Sequence, residues 1–371
     1  MYVMKRVLLL SAYDAKSHQY WRKGLEENVT GIDWTVLTLP ARYFSWRIRG
    51  NSLSWAYSER DTLVKPYDLI IATSVVDVAT LKGIVPQLAS VPTIVYFHEN
   101  QFAYPTSKQQ HHSLEPQMVN LYSALAATQV VFNSHYNRST FLAGVSSLLK
   151  RLPEKLPREI VAQLTEQSSV IPVPIVPLVC ASTQKSKVFT LLWNHRWEYD
   201  KGPDRLLLLL RHLKRNGVEF SLHILGESFR QCPESFSIIE HEFKSNLVSF
   251  GYVESKDDYL KLLGQCDVVL STSLHDFQGL SVLEAVAAGC VPVLPNRLAY
   301  PDYFEQEYLY DSYLDDPEKE SQAMAGQMLV LYQQWLAGEA LPVPSIERLF
   351  WPSCKKDYER LMNDVMSSKV P

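Results

Sequence analysis

What this 371-residue chain has little of narrows its function before any motif is read. No apolar run is long enough to cross a bilayer, so no membrane partner is expected. The run Val7 to Leu10 is too short even for the apolar part of a signal peptide and reads as a first strand, and a cytoplasmic setting follows. Cysteine is scarce: Cys180, Cys232, Cys266, Cys290 and Cys354 are odd in number, far apart and outside any zinc spacing. Reduced thiols follow, with Cys266 and Cys290 packing beside strands. An excess of one charge is missing too. With 36 basic and 40 acidic side chains the net charge is −4, so an RNA partner would need a local patch. Low-complexity tracts are absent.

What is present is ordinary for a globular protein: 46% hydrophobic and 20% charged residues. The length allows two domains, and strand-like and helix-like segments alternate through two similar halves, an α/β pattern. Residues 171–187, IPVPIVPLVCASTQKSK, are too rich in proline for a helix and read as an extended connection. The expected organisation is a first domain over 1–172, a linker over 173–187, a second domain over 188–345 and a closing segment over 346–371. That segment reads as an amphipathic helix with Leu361, Val365 and Met366 on one stripe, packing back on the first domain.

The densest stretch is Asp267 to Pro295, DVVLSTSLHDFQGLSVLEAVAAGCVPVLP, which reads strand, loop, helix, strand. Gln278, Gly279 and Leu280 fall at the helix start, where unpaired amides and the positive end of the dipole attract phosphate. Gly279 lets a ligand approach the main chain. Glu284, a turn further in, offers a carboxylate to a ribose, and Asp276 supplies a second one from the loop. An ordinary crossover unit with Glu284 on a solvated face is the plain alternative.

Polar residues recur after the other strands. Ser17 and His18 open a helix expected from about Gln19; they either touch a ligand or, for Ser17, cap the helix. His98, Glu99, Asn100 and Gln101 follow the run Pro92 to Phe97, and Asn133 and Ser134 follow Gln129 to Phe132. Strand ends of this kind bind ligands in open α/β sheets. In the second half, Arg196 and Lys201 after a strand suit a diphosphate, one as a fork and one as a point charge. Gly226 follows another strand, and Tyr252 with Val253 form a candidate wall for a nucleobase. Arg42, Arg47 and Arg49 alternate with Tyr43, Phe44, Trp46, Trp55 and Tyr57. They serve either to hold unpaired bases and phosphates or as the solvated side of a segment that packs its rings inward.

The stretch Asp276 to Gly289 resembles the signature of the family-4 retaining glycosyltransferases, with Asp276 standing where that family usually has Glu. The segments TLPARYFSWRIRGN, YFHENQFAYP, FNSHYNR and LLWNHRWEYDKGP resemble, over nearly the whole chain, the tRNA-queuosine mannosyltransferases. Residues 12–16 depart from the small glycine-containing loop expected there. The resemblance implies a GT-B fold, two Rossmann-like domains facing across a central cleft. It implies transfer of mannose from GDP-mannose, the co-substrate, to queuosine in tRNA-Asp, with no metal or other cofactor.

By the same resemblance His98, Asp276, Arg196 and Lys201 are catalytic. Gly226, Tyr252, Val253, Gln278, Gly279, Leu280 and Glu284 join Arg196 and Lys201 around the donor. Ser17, His18, Arg42, Arg47, Arg49, Glu99, Asn100, Gln101, Asn133 and Ser134 lie on the acceptor side. A GT-B enzyme using another nucleotide sugar and a small-molecule or lipid-linked acceptor, and a non-catalytic nucleotide-sugar or RNA-binding module, are the alternatives.

Overall fold

The computed structural model describes residues 4–104, 113–157, 159–177, 186–228 and 232–368. The chain forms two compact units, Met1–Pro174 with Trp351–Pro371, and Ile175–Phe350. Part of the expected linker, at 178–185, lies outside the described residues, as does Cys180.

The first unit contains β1 (Lys5–Ser11), α1 (Lys16–Asn28), β2 (Ile32–Thr38), α2 (Phe44–Ser58), α3 (Arg60–Leu63), β3 (Leu69–Thr73), α4 (Val78–Ile84), β4 (Thr93–Phe97), α5 (Glu115–Leu125), β5 (Gln129–Phe132), α6 (His135–Leu149), α7 (Glu159–Glu166) and β6 (Ser168–Val170). All six strands are parallel, in the order β2-β1-β3-β4-β5-β6. Continuous apolar strands such as Val7 to Leu10 are what a parallel sheet needs, because helices cover both faces. Each such side chain stabilises the sheet by roughly 1.5–3 kcal/mol. The winding reverses between β1 and β3.

β2 starts at Ile32 because it pairs residue for residue with β1 from Lys5 onward. Two local expectations change. α1 starts at Lys16, with Ala15 as an N-cap that makes no side-chain bond. Ser17 therefore does not cap the helix and sits exposed in its first turn. The arginine-aromatic segment is the helix α2, which packs some of its rings inward and leaves others in solvent. Ile48, Trp55 and Ala56 are buried, while Tyr43, Trp46 and Tyr57 are exposed.

The final helix belongs to this unit as α14 (Trp351–Ser367). Its buried side is Trp351, Cys354, Tyr358, Met362 and Val365. Leu361 and Met366 lie only at the margin of that stripe. Tyr358 fixes the helix, since its hydroxyl accepts from Trp21 Nε1 at 3.0 Å and donates to the Pro172 carbonyl at 2.9 Å.

The second unit contains β7 (Thr190–Asn194), α8 (Pro203–Arg215), β8 (Ser221–Leu225), α9 (Glu234–Glu242), β9 (Leu247–Gly251), α10 (Lys256–Gln265), β10 (Val268–Leu270), α11 (Leu280–Ala287), β11 (Val291–Pro295), α12 (Tyr300–Tyr303), β12 (Leu309–Tyr310) and α13 (Pro317–Leu336). Its parallel sheet runs β12-β11-β10-β7-β8-β9. The winding reverses between β7 and β10, and ligands of doubly wound sheets bind at the carboxyl ends of such strands.

α8 forms because Pro203 sits at its first turn, five leucines face inward, and His212, Lys214 and Arg215 meet the negative end of the dipole. Buried Glu320 of α13 bonds Arg205 Nε at 2.7 Å and Arg297 Nη1 at 2.5 Å, tying α13 to α8 and to the loop after β11. Among the described residues no helix is long and apolar enough to cross a membrane. The described cysteines are free thiols, with Cys266 and Cys290 buried.

Candidate active site

In the second unit the loops after β7 and β10 are laced together beside the winding reversal. Trp193 Nε1 donates to Thr272 Oγ1 at 3.0 Å, and that hydroxyl donates to the Lys201 carbonyl at 2.7 Å. The amides of Leu274 and His275 donate to the Asp200 carbonyl at 2.8 and 3.2 Å. This places the buried Lys201 ammonium 2.6 Å from the His275 carbonyl, 3.2 Å from Asp200 Oδ2 and 3.7 Å from Asp276 Oδ2. In such low-dielectric surroundings its charge acts with far less screening than in water.

Arg196, on the same loop, is half-exposed and pairs with Glu198 Oε2 at 3.0 Å. Burial lifts the Glu198 carboxyl above its ordinary range, with Arg196 opposing it. His195, just before Arg196, is buried. Burial first, and then Lys201, bring its imidazole down to about 4, so it is neutral at pH 7. Among the described residues its Nε2 has no hydrogen-bond partner, nor has Asn194 Oδ1. Gly226 passes so close that an added Cβ would lie 1.8 Å from the His195 carbonyl oxygen, at φ +151°. Its role here is this close packing of loop against loop.

The start of α11 corrects one expectation. The amides of Gln278 and Gly279 are not open, because Asp276 Oδ1 accepts from them at 3.3 and 2.8 Å. A short acidic side chain three residues before the N-cap Gly279 folds back onto the dipole it precedes. No partner is seen for the Leu280 amide among the described residues. Burial raises the Asp276 carboxyl, but Lys201, His195 and the Gln278 amide outweigh that, and it titrates below the usual range. Gly279 is required by its φ of +77° and by Tyr300, whose ring would stand 2.8 Å from an added Cβ.

Glu284 is partly buried and does not lie on a solvated face. Burial lifts its carboxyl to about 7, with the Tyr259 hydroxyl and Lys256 pulling back. Tyr259 donates to Glu284 Oε2 at 3.3 Å and accepts from Asn194 Nδ2 at 3.1 Å. Tyr252, half-exposed, and Val253, partly buried, follow β9.

In the first unit His98 follows β4 as a buried imidazole. It stacks on His18 with ring centroids 4.2 Å apart and meets the edge of Trp21 at 4.9 Å. Burial, and then His18, hold it well below its ordinary range, so it is neutral at pH 7. Its Nε2 has no partner among the described residues. Glu99 Oε2 meets His18 Nε2 at 3.2 Å.

Asn100, Asn133 and Ser134 form scaffold. Asn100 Nδ2 donates to Asn137 Oδ1 at 2.9 Å and Thr140 Oγ1 at 2.9 Å, and its Oδ1 accepts from the amides of Phe102 and Ala103. Asn133 donates to the His98 carbonyl at 2.8 Å, and Ser134 caps α6 by accepting from the Asn137 amide. Gln101 is held by its amide on Asn120 Oδ1.

Lys201, Asp276, Gln278 and Gly279 thus form one cluster, with Glu284 reached through Tyr259 and Asn194. His18, His98 and Glu99 form another, within the first unit. Arg42, Arg47 and Arg49 join neither; Arg49 donates to Asp77 Oδ2 at 2.8 Å. Sequence reasoning missed Asn194, His195, Asp200 and Tyr259. The first two carry the strand-end signal that drew attention to His98. Tyr259 carries none, since only packing brings α10 to α11.

Against known proteins, residues 6–175 match the family described as tRNA-queuosine alpha-mannosyltransferase N-terminal, and residues 181–336 match glycosyl transferases group 1. A tRNA-queuosine alpha-mannosyltransferase of Drosophila melanogaster is 34% identical over 318 residues, which cover 82% of this chain and 83% of that protein. Among solved structures, sucrose-phosphate synthase from Thermosynechococcus elongatus superposes with a TM-score of 0.69 at 16% identity, over 98% of this chain and 99% of its own. A Rickettsia africae glycosyltransferase gives 0.63 at 12% identity, over 98% and 99%. Those two likenesses show the fold alone, which is GT-B.

Proposed function

The chain belongs to the tRNA-queuosine alpha-mannosyltransferases, a family of glycosyltransferases, and from that membership we propose its substrates and the roles of its residues. It moves mannose from GDP-mannose to the cyclopentenediol of queuosine in tRNA-Asp, with retention of configuration. The second unit takes the donor and the first takes the acceptor. The setting is the cytoplasm.

The observation that carries the donor assignment is Lys201, a buried ammonium held at the carboxyl edge of the sheet where the winding reverses. Breaking the bond between the anomeric carbon and the phosphate leaves negative charge on GDP. Lys201, Arg196 and the amide end of α11 at Leu280 stabilise it, and no step calls for a metal. An incoming phosphate competes with Asp200 and Asp276 for Lys201. Asp276 holds the loop through Oδ1 and faces the transferred sugar. Glu284 accepts the ribose hydroxyls, and Tyr252 with Val253 flank the base.

The acceptor hydroxyl attacks from the face the phosphate leaves. Its oxygen bonds to the anomeric carbon as its proton passes to the departing phosphate oxygen. In the first unit His18 and Glu99 hold the ring of neutral His98 in place, leaving its Nε2 for substrate.

Incubating the protein with GDP-mannose and queuosine-containing tRNA, then digesting to nucleosides for mass spectrometry, tests the assignment. The expected product is queuosine heavier by one hexose, formed with GDP-mannose and not with uridine diphosphate sugars. Unchanged queuosine overturns it.

A further inference from the structure

α2 presents a stripe to solvent that its buried side does not explain. Tyr43, Trp46, Gly50, Leu53 and Tyr57 recur at alternating steps of three and four, which places them on one side of a helix. Tyr43 is 72% exposed, Trp46 52%, Leu53 49% and Tyr57 77%. The middle of the stripe is glycine for a reason. A Cβ on Gly50 would lie 2.3 Å from the Trp46 ring, so the indole lies down on its own helix, braced on one face and open on the other.

Along α2 itself the charges are of one sign, and acidic side chains, Glu59 and Asp61, come only past its C-terminal end. Between Phe44 and Ser58 the helix carries Arg47 and Arg49 and no Asp or Glu. The exposed Arg42 guanidinium lies 5.7 Å from the centre of the Tyr43 ring. Arg49 keeps about half its side chain in solvent while bonding Asp77, which is itself buried. A helix-helix seam has the same spacing, but its flanks normally carry charges of both signs that choose the partner. Rings on a helix whose own charged side chains are all guanidiniums match phosphates and the faces of unpaired bases.

We propose that this stripe of α2 is where unpaired nucleotides of the tRNA substrate stack. It rests on the reading of the chain as an enzyme acting on tRNA. From Tyr43 to Tyr57 the stripe is about 21 Å long at the usual helical rise, enough for several successive bases. Base-paired RNA is excluded from it, since its bases are stacked inside the helix and offer no face to a ring.

The test compares wild type with the double variant Tyr43→Ala/Tyr57→Ala and, separately, with Leu53→Glu, which removes no ring and adds one negative charge. Both changes are at exposed positions. Each lost stack is expected to raise Kd and KM for tRNA by roughly 5-fold or more, with kcat at saturating tRNA and affinity for GDP retained. The Leu53→Glu defect shrinks as salt is raised, because it is electrostatic, whereas the double-variant defect persists. Duplex RNA does not compete.

Unchanged tRNA Kd and KM in both variants overturn the proposal. So does light scattering that finds wild type dimeric and the variants monomeric, which makes the stripe a seam between copies. Failure of the assignment to queuosine looks different: wild type then binds tRNA through the stripe but adds no hexose to it.

Discussion

At the carboxyl edge of the first sheet most polar groups bond to one another as neutral amides and hydroxyls. Asn100, Asn133, Asn137 and Ser134 form a closed set around the main chain of His98. At the corresponding edge of the second sheet the groups are ionic: Lys201 between Asp200 and Asp276, Arg196 on Glu198, and Glu284 lifted by burial. A neutral network with its donors used is rigid and indifferent to the charge of a ligand. An ionic cluster can exchange an internal partner for an external one. The first edge is built to hold one imidazole still, and the second to trade charge with a departing group.

Removing the traded charge tests the contrast most severely. Lys201→Ala should lower kcat for mannosyl transfer about 100-fold or more, as loss of one preorganised charge donor does. A loss of 2-fold or less would place Lys201 outside the chemistry. Asn100→Ala should instead unfold the first unit more easily, by roughly 1–3 kcal/mol in denaturant titration, because it strands buried partners. If it left stability unchanged while abolishing transfer, the neutral edge would be a ligand site and the contrast would fail.

Glu284 sharpens the comparison through pH. Its carboxyl holds a proton up to about 7 in the folded chain, against about 4.5 ordinarily. The folded state therefore binds protons more tightly than the unfolded one between those values, and stability falls as pH rises through that window. Glu284→Gln should gain on wild type by about 1 kcal/mol or more between pH 5 and pH 8, read as melting temperature. Over the same range GDP affinity of the wild type should rise as the carboxylate ionises, and that of the variant should stay flat. The smallest expected effect is that of a chelator. EDTA should leave the transfer rate within about 2-fold, since Lys201 and Arg196 supply the charge.

Much of the fold was legible because buried parallel strands are continuous apolar runs. β1, β4, β5, β8 and β11 announce themselves, and so does the leucine-rich α8. The polar strand ends after β4, β5 and β7 were equally plain. What escaped was set by contacts that no local pattern encodes. Asp276 turns back on Gly279, so a carboxylate expected to face the ligand spends one oxygen on the helix start. Glu284 is tuned by Tyr259 and Asn194, drawn from two other elements. The rings of α2 look alike in sequence, yet Trp55 is core and Trp46 is surface. Burial of one face of α14 on the first unit shifts its stripe from Leu361 to Met362.

The most direct test of the ionic edge is a structure of the protein with GDP bound. The predicted result places the diphosphate within hydrogen-bond distance of Lys201, Arg196 and the Leu280 amide. A diphosphate bound elsewhere, with Lys201 still on the His275 carbonyl and Asp200 and Arg196 still on Glu198, would contradict it.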